Sequence, residues 1–241
     1  MKGSTSTRNR DLFIEGIVIV LSILLAFGID ALWDQHQQRL EEEEILASLE
    51  SDFAANLQSV TRIIAAHGIF RDRVVTLMRL SPEEIRALSQ TQVSEIMLSL
   101  ANPWTFDAVR GTTDTLVSGG KLGALREPKL RESLLTFLNR LSDSQEDVAY
   151  LIQGAQDFWL SEINHGGPWT DPAAEIGYVG EIRGLDFIPK ATAEDLLSVR
   201  SDPELMGLSK RFHINVAYYV AELELIRASI EEILDLIAES A

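Results

Sequence analysis

Apolar positions fall into two patterns along the chain. From Leu12 to Trp33 they are nearly continuous, with Ser22 the only interruption between Gly16 and Ile29. Beyond Leu46 they recur in alternating steps of three and four, the mark of helices with one buried face. The first pattern covers 22 residues, which at about 1.5 Å per helical residue span roughly 33 Å, the thickness of a bilayer's hydrocarbon.

The second pattern predicts three long helices. Leu46, Leu49, Phe53, Asn56, Val60, Ile63, His67, Phe70, Val74 and Leu77 form one stripe, in which Asn56 and His67 are polar residues on an apolar seam. Such residues more often fix register than hold a ligand. Ser81-Pro82-Glu83-Glu84 restarts a helix, with Ser81 as N-cap, Pro82 at its first position and Glu84 closing a capping box. Short helices are expected to about Leu100 and from Thr105 to Val117, ended by Ser118-Gly119-Gly120. Pro128 opens a second long helix to about Asn164, with Leu130, Leu134, Phe137, Leu141, Ser144, Val148, Leu151, Ala155 and Phe158 on its stripe. The third starts at Asp202-Pro203, and Phe212, Val216, Tyr219, Leu223, Ile226, Ile230, Ile233 and Ile237 form its seam. Ile214, Leu225, Leu234 and Leu236 are expected to widen that seam. The fold predicted is all-α: an N-terminal membrane helix continuing into an antiparallel bundle of three long and several short helices. Residues 1–11 form a tail, 12–33 the membrane helix and 34–241 the bundle domain.

An irregular segment at 165–190 holds five glycines and three prolines around Trp169, Tyr178 and Phe187. Long loops in compact domains tend to be functional, and aromatics are strong interface anchors. Those three rings are expected either to form a partner surface or to plug the end of the bundle, and "EIGYVGEIRG" has the look of a hairpin.

Charge settles which partners are excluded. Lys and Arg number 21 against 37 Asp and Glu, for a net −16. Lys2, Arg8 and Arg10 against Asp11 and Glu15 leave the first fifteen residues at +1, and the rest at −17. An acidic body of this kind repels phosphate backbones, so nucleic acid is not an expected partner. Cysteine is absent, which removes disulfides and thiolate chemistry.

The basic residues before the apolar run place the N-terminus in the cytoplasm and the acidic body across the membrane. Trp33 and Asp30 are expected at the interface. A cleaved signal peptide and a buried soluble helix are the rival readings; Asp11 and Glu15 spoil the basic leader that the first requires. Glu15 stands about one turn inside the span. It either reaches the headgroups or, with Gly16 allowing close approach, pairs with another membrane helix.

Glu15, the apolar run and "ILLAFGIDALWDQHQQR" resemble the N-terminus of a bacterial family of uncharacterised single-span membrane proteins. Ala26, Ile29, Trp33, Asp34 and Arg39 fall on its pattern, and Phe106 to Val109, Ser118 to Leu122 and Leu130 to Phe137 resemble a second patch of it. The order Glu15-Gly16 and the pair Asp30-Ala31 depart from that pattern. The resemblance covers about the first two thirds of the chain. It implies a single-pass inner-membrane anchor bearing a helical periplasmic domain, and it implies no reaction.

No catalytic signature stands out, no cofactor is called for, and the chain is read as a non-enzyme. Glu162-x-x-His165 has the spacing of half a di-iron site, but no second copy exists. Ser118-Gly119-Gly120-Lys121 lacks phosphate-loop spacing. His213 beside Lys210 and Arg211 reads as a solvated helix residue, and Glu41–Glu44 as a solvated helix face. The function expected is association, as an accessory or scaffold subunit of a membrane complex or as a homo-oligomer in the lipid bilayer. The alternative is a ligand-binding sensor module that signals through a partner.

Overall fold

The computed structural model describes residues 5–167 and 190–240, with side chains from Val20 onward. Among these residues every regular element is helical: α1 (Thr5–Arg79), α2 (Pro82–Arg86), α3 (Gln90–Ser99), α4 (Gly111–Ser118), a 3-10 turn (Leu122–Ala124), α5 (Pro128–Asn164), α6 (Ala193–Ser201) and α7 (Pro203–Ser240). The all-α class and the three long helices match the sequence reading.

Local chemistry explains the breaks. Ser81 caps α2 through the backbone N–H of Glu84, whose carboxylate accepts from the Ser81 N–H at 2.6 Å. The same reciprocal box recurs with Ser89 and Gln92 at α3 and with Thr192 and Asp195 at α6. Helix α5 stops where Gly166 adopts φ 78°, a left-handed conformation that a side chain disfavours.

All ten stripe residues of α1 are buried, Asn56 and His67 among them, and so are all eight on α7. On α5 only Val148 is half-exposed. The Phe53 and Phe137 rings meet at 4.9 Å in an edge contact that joins α1 to α5. Two residues depart from expectation. Ile214 and Leu225 do not widen the α7 seam but face outward, 58% and 48% exposed, while Leu236 is buried and Leu234 half-buried.

The bundle is not simply antiparallel. Glu42 pairs with Arg126 just before α5, and Phe53 with Phe137, so α1 and α5 run in the same direction. Lys129 pairs with Glu232 and Asp157 with Arg211, so α7 runs against α5. Two parallel neighbours require a return leg between them, and residues 100–110 supply it. This strap meets α1 at His67 through Trp104, and Thr112, at the start of α4 just after it, meets Asp52. Those fifteen positions of α1 cover about 22 Å, which eight helical residues, about 12 Å long, cannot span; an extended chain of eight reaches about 26–29 Å. The helix expected from Thr105 therefore begins only at Gly111, and Phe106 to Val109 lie in extended chain.

At the other end of α1, the side chains of Val20, Leu21, Ile23, Leu24, Leu25, Phe27, Ile29, Leu32 and Trp33 are 50–68% exposed. They surround the helix on every side and touch no part of the bundle's core. No helix among the described residues is long and apolar enough to cross a membrane. The side chains of residues 12–19 of the expected span lie outside those described.

Candidate functional site

The strap is a half-buried extended segment in a helical protein, with Leu100, Ala101 and Phe106 buried, so its backbone polar groups have no ladder to join. Unpaired, each would cost about 1–3 kcal/mol. The long helices instead present polar side chains to it. The Asn56 amide donates to the Val109 carbonyl and accepts from the Val109 N–H, both at 2.7 Å, as a strand neighbour would. Tyr219 Oη accepts from the Phe106 N–H at 2.7 Å. Ser209 donates to the Leu100 carbonyl at 2.7 Å, and Trp159 Nε1 to that of Ala101 at 3.0 Å. Asp52 accepts from the Thr112 N–H at 3.3 Å. Asn56 and His67 thus hold a third element in place rather than setting helix against helix. Burial pushes the Tyr219 hydroxyl up to about 12, so it stays protonated. Tyr219→Phe removes the acceptor for Phe106 and is expected to cost about 1–3 kcal/mol in urea unfolding; a loss below about 0.5 kcal/mol, the range of a neutral surface change, would assign the strap no such dependence.

Two histidines complete the clamp. His67 Nε2 lies 2.8 Å from the Trp104 carbonyl, and His213 Nε2 lies 2.9 Å from that of Ser99. A carbonyl only accepts, so both rings carry their proton on Nε2 and leave Nδ1 as a bare lone pair. Both Nδ1 atoms are buried without a partner. Burial lowers the pKa of each ring, and His67 and Arg71 lower that of His213 further, so both are neutral at pH 7. His213 is thus half-buried and not the solvated residue expected, because it faces the last carbonyl of α3, just before the strap.

A cavity of about 340 Å³ opens beside these rings between α1 and α7, lined by Ile64, His67, Gly68, Arg71, His213, Val216, Ala217 and Val220. Gly68 sits deep in α1, where glycine costs about 0.5–1 kcal/mol relative to alanine. No atom comes within 4 Å of where its Cβ would be, so close packing does not explain it. What its missing side chain leaves open is this cavity.

The remaining expected sites are placed as follows. Asp30 and Trp33 are exposed on the apolar pole, with the Trp33 ring 6.4 Å from that of His36. The side chains of Glu15 and Gly16, and all of Trp169, Tyr178 and Phe187 with the hairpin, lie outside the described residues. No cluster of three metal-ligating side chains occurs among the described residues. His165 caps α5, its Nδ1 2.8 Å from the Ser161 carbonyl and its Nε2 3.7 Å from the carboxylates of Asp202 and Glu204. Glu162 is 3% exposed, and burial, reinforced by Asp195, raises its pKa to about 7. The acidic run is not merely a solvated face: Glu41 pairs with Lys121 at 3.0 Å and Glu42 with Arg126 at 3.1 Å, tying the glycine turn to α1.

In comparisons with known proteins, the chain matches no family, no curated protein and no solved structure.

Proposed function

We propose that this chain is a membrane-anchored helical bundle that works by protein association, as an accessory or scaffold subunit. The observation that carries the reading is the apolar pole. Nine large apolar side chains, from Val20 to Trp33, stand 50–68% exposed around one continuous helix. In water that surface is costly, at roughly 25 cal/mol per Å², and a lipid environment removes the cost. The remaining apolar residues, back to Leu12, bring the run to membrane-spanning length. The basic residues before it favour a cytoplasmic N-terminus with the bundle across the inner membrane. The resemblance to single-span bacterial proteins supports the same arrangement.

Association is supported by the outward face of α7. Ile214, Tyr218 and Leu225 are 58%, 69% and 48% exposed and lie four and seven residues apart, on one stripe. A partner helix packs on such spacing.

The chain is expected to remain in membranes after an alkaline wash and to keep its N-terminal residues. A reporter active only outside the cytoplasm, fused after Ala241, should be active. Release by the wash, or a mature N-terminus near Ile29, would overturn the anchor. Copurification in mild detergent should recover a partner or a second copy, and Tyr218→Glu should lose it with the melting temperature unchanged. Retention of every copurifying protein by Tyr218→Glu would remove α7 from the interface.

A further inference from the structure

We propose that the cleft between α1 and α7 binds a small organic monoanion with a short apolar body. The inference does not depend on the anchor. In a chain of net charge −16, the only formally charged residue among the described lining of this cavity is the cation Arg71, and no carboxylate is among them. Its walls are otherwise Ile64, Val216, Ala217 and Val220, with the two neutral imidazoles at one side. A volume of about 340 Å³ suits a ligand of a few carbon atoms. Gly68 and Ala217, the smallest residues lining the cleft from its two helices, keep the gap open, and no described atom lies within 4 Å of where a Gly68 Cβ would be.

Charge decides the ligand class. A metal ion or an amine could use the imidazole lone pairs but would meet the like charge of Arg71 with no carboxylate among the described lining residues to offset it. A phosphate dianion calls for more donors than one guanidinium supplies. A carboxylate needs one Arg, and its apolar tail needs the aliphatic wall. Arg71 is 67% exposed in its side chain and paired with the adjacent Asp72 at 3.0 Å, so it sits at the mouth and can swing to a ligand.

The test uses the full chain in lipid nanodiscs, with empty nanodiscs as the blank, and calorimetric titration with hexanoate, hexanol and hexylamine. Hexanoate should bind saturably, hexanol about tenfold or more weakly, and hexylamine not at all. Arg71→Gln should erase the preference for hexanoate over hexanol. Gly68→Leu and Ala217→Leu, which fill the gap from either side, should abolish binding while the helical circular dichroism is kept. Absence of saturable hexanoate binding, equal binding of hexanol by the parent, or undiminished binding in both filled variants would each overturn the proposal.

Discussion

Replacing Asn56 with leucine is expected to destabilise the fold by about 2–4 kcal/mol, the cost of stranding a backbone donor and acceptor together. Leucine fits the apolar stripe better than asparagine does, and a reading of the helix by pattern alone ranks the change as favourable. The strap reverses that ranking. With the amide gone, the Val109 N–H and C=O lose their two partners at 2.7 Å. Val109 is 47% exposed, so water recovers part of the loss, which keeps the estimate below that of a fully buried pair. Asn56→Asp is the sharper probe. An ionised aspartate still accepts from the Val109 N–H but turns an acceptor toward the Val109 carbonyl. Its penalty should therefore shrink as the pH falls and the carboxyl gains a proton to donate. Urea midpoints of the parent and both variants, at neutral and acid pH, decide it. A leucine variant within about 0.5 kcal/mol of the parent would mean the clamp is ornamental.

The same residue shows how far the sequence could be read. Periodicity found α1, α5 and α7 because each buries one face, and burial of one face is what the spacing records. Pro128 and Asp202-Pro203 marked two starts correctly because a proline at the first helical turn loses no bond. The strap was missed for the opposite reason. Thr105 to Arg110 carries no helix breaker, and only the need to return about 22 Å toward the start of α1 forces these six residues straight before the expected helix begins at Gly111; that demand is tertiary. Asn56 and His67 were legible as anomalies on a seam, yet their partners lie 53 and 37 residues away and left no local signal. His213 was hidden by its charged neighbours Lys210 and Arg211. The cavity's one trace in the sequence was Gly68, a glycine where a long helix wants none. Helix α6 carried a Thr-x-x-Asp box that could have been recognised.

Glu162→Gln is expected to stabilise the protein, and only on one side of a pH window. The native carboxyl has its pKa raised to about 7 by burial, helped by Asp195, while the unfolded chain releases the same proton near 4.5. Between those values the native state holds a proton that the unfolded state has lost. Stability from this group is thus fully present below about 4.5 and falls as the pH rises to about 7, above which the full penalty applies. The difference of about 2.5 units corresponds to about 3 kcal/mol at most. Glutamine has nearly the same shape, so the tight approach of Gly167, whose added Cβ would lie 1.9 Å from Glu162 Oε1, is undisturbed. His67 and His213 pull the other way. Their lowered pKa values make the unfolded chain the better proton binder below about 6.5, so their contribution is lost on acidification. Because both rings are present in parent and variant, they cancel in the difference. Urea unfolding of both proteins from pH 4 to pH 8 should show curves that coincide at the acid end and separate by up to about 3 kcal/mol at the alkaline end, the variant above. A constant separation across the range would show that the substitution acts through packing, and that Glu162 titrates alike in the folded and the unfolded chain.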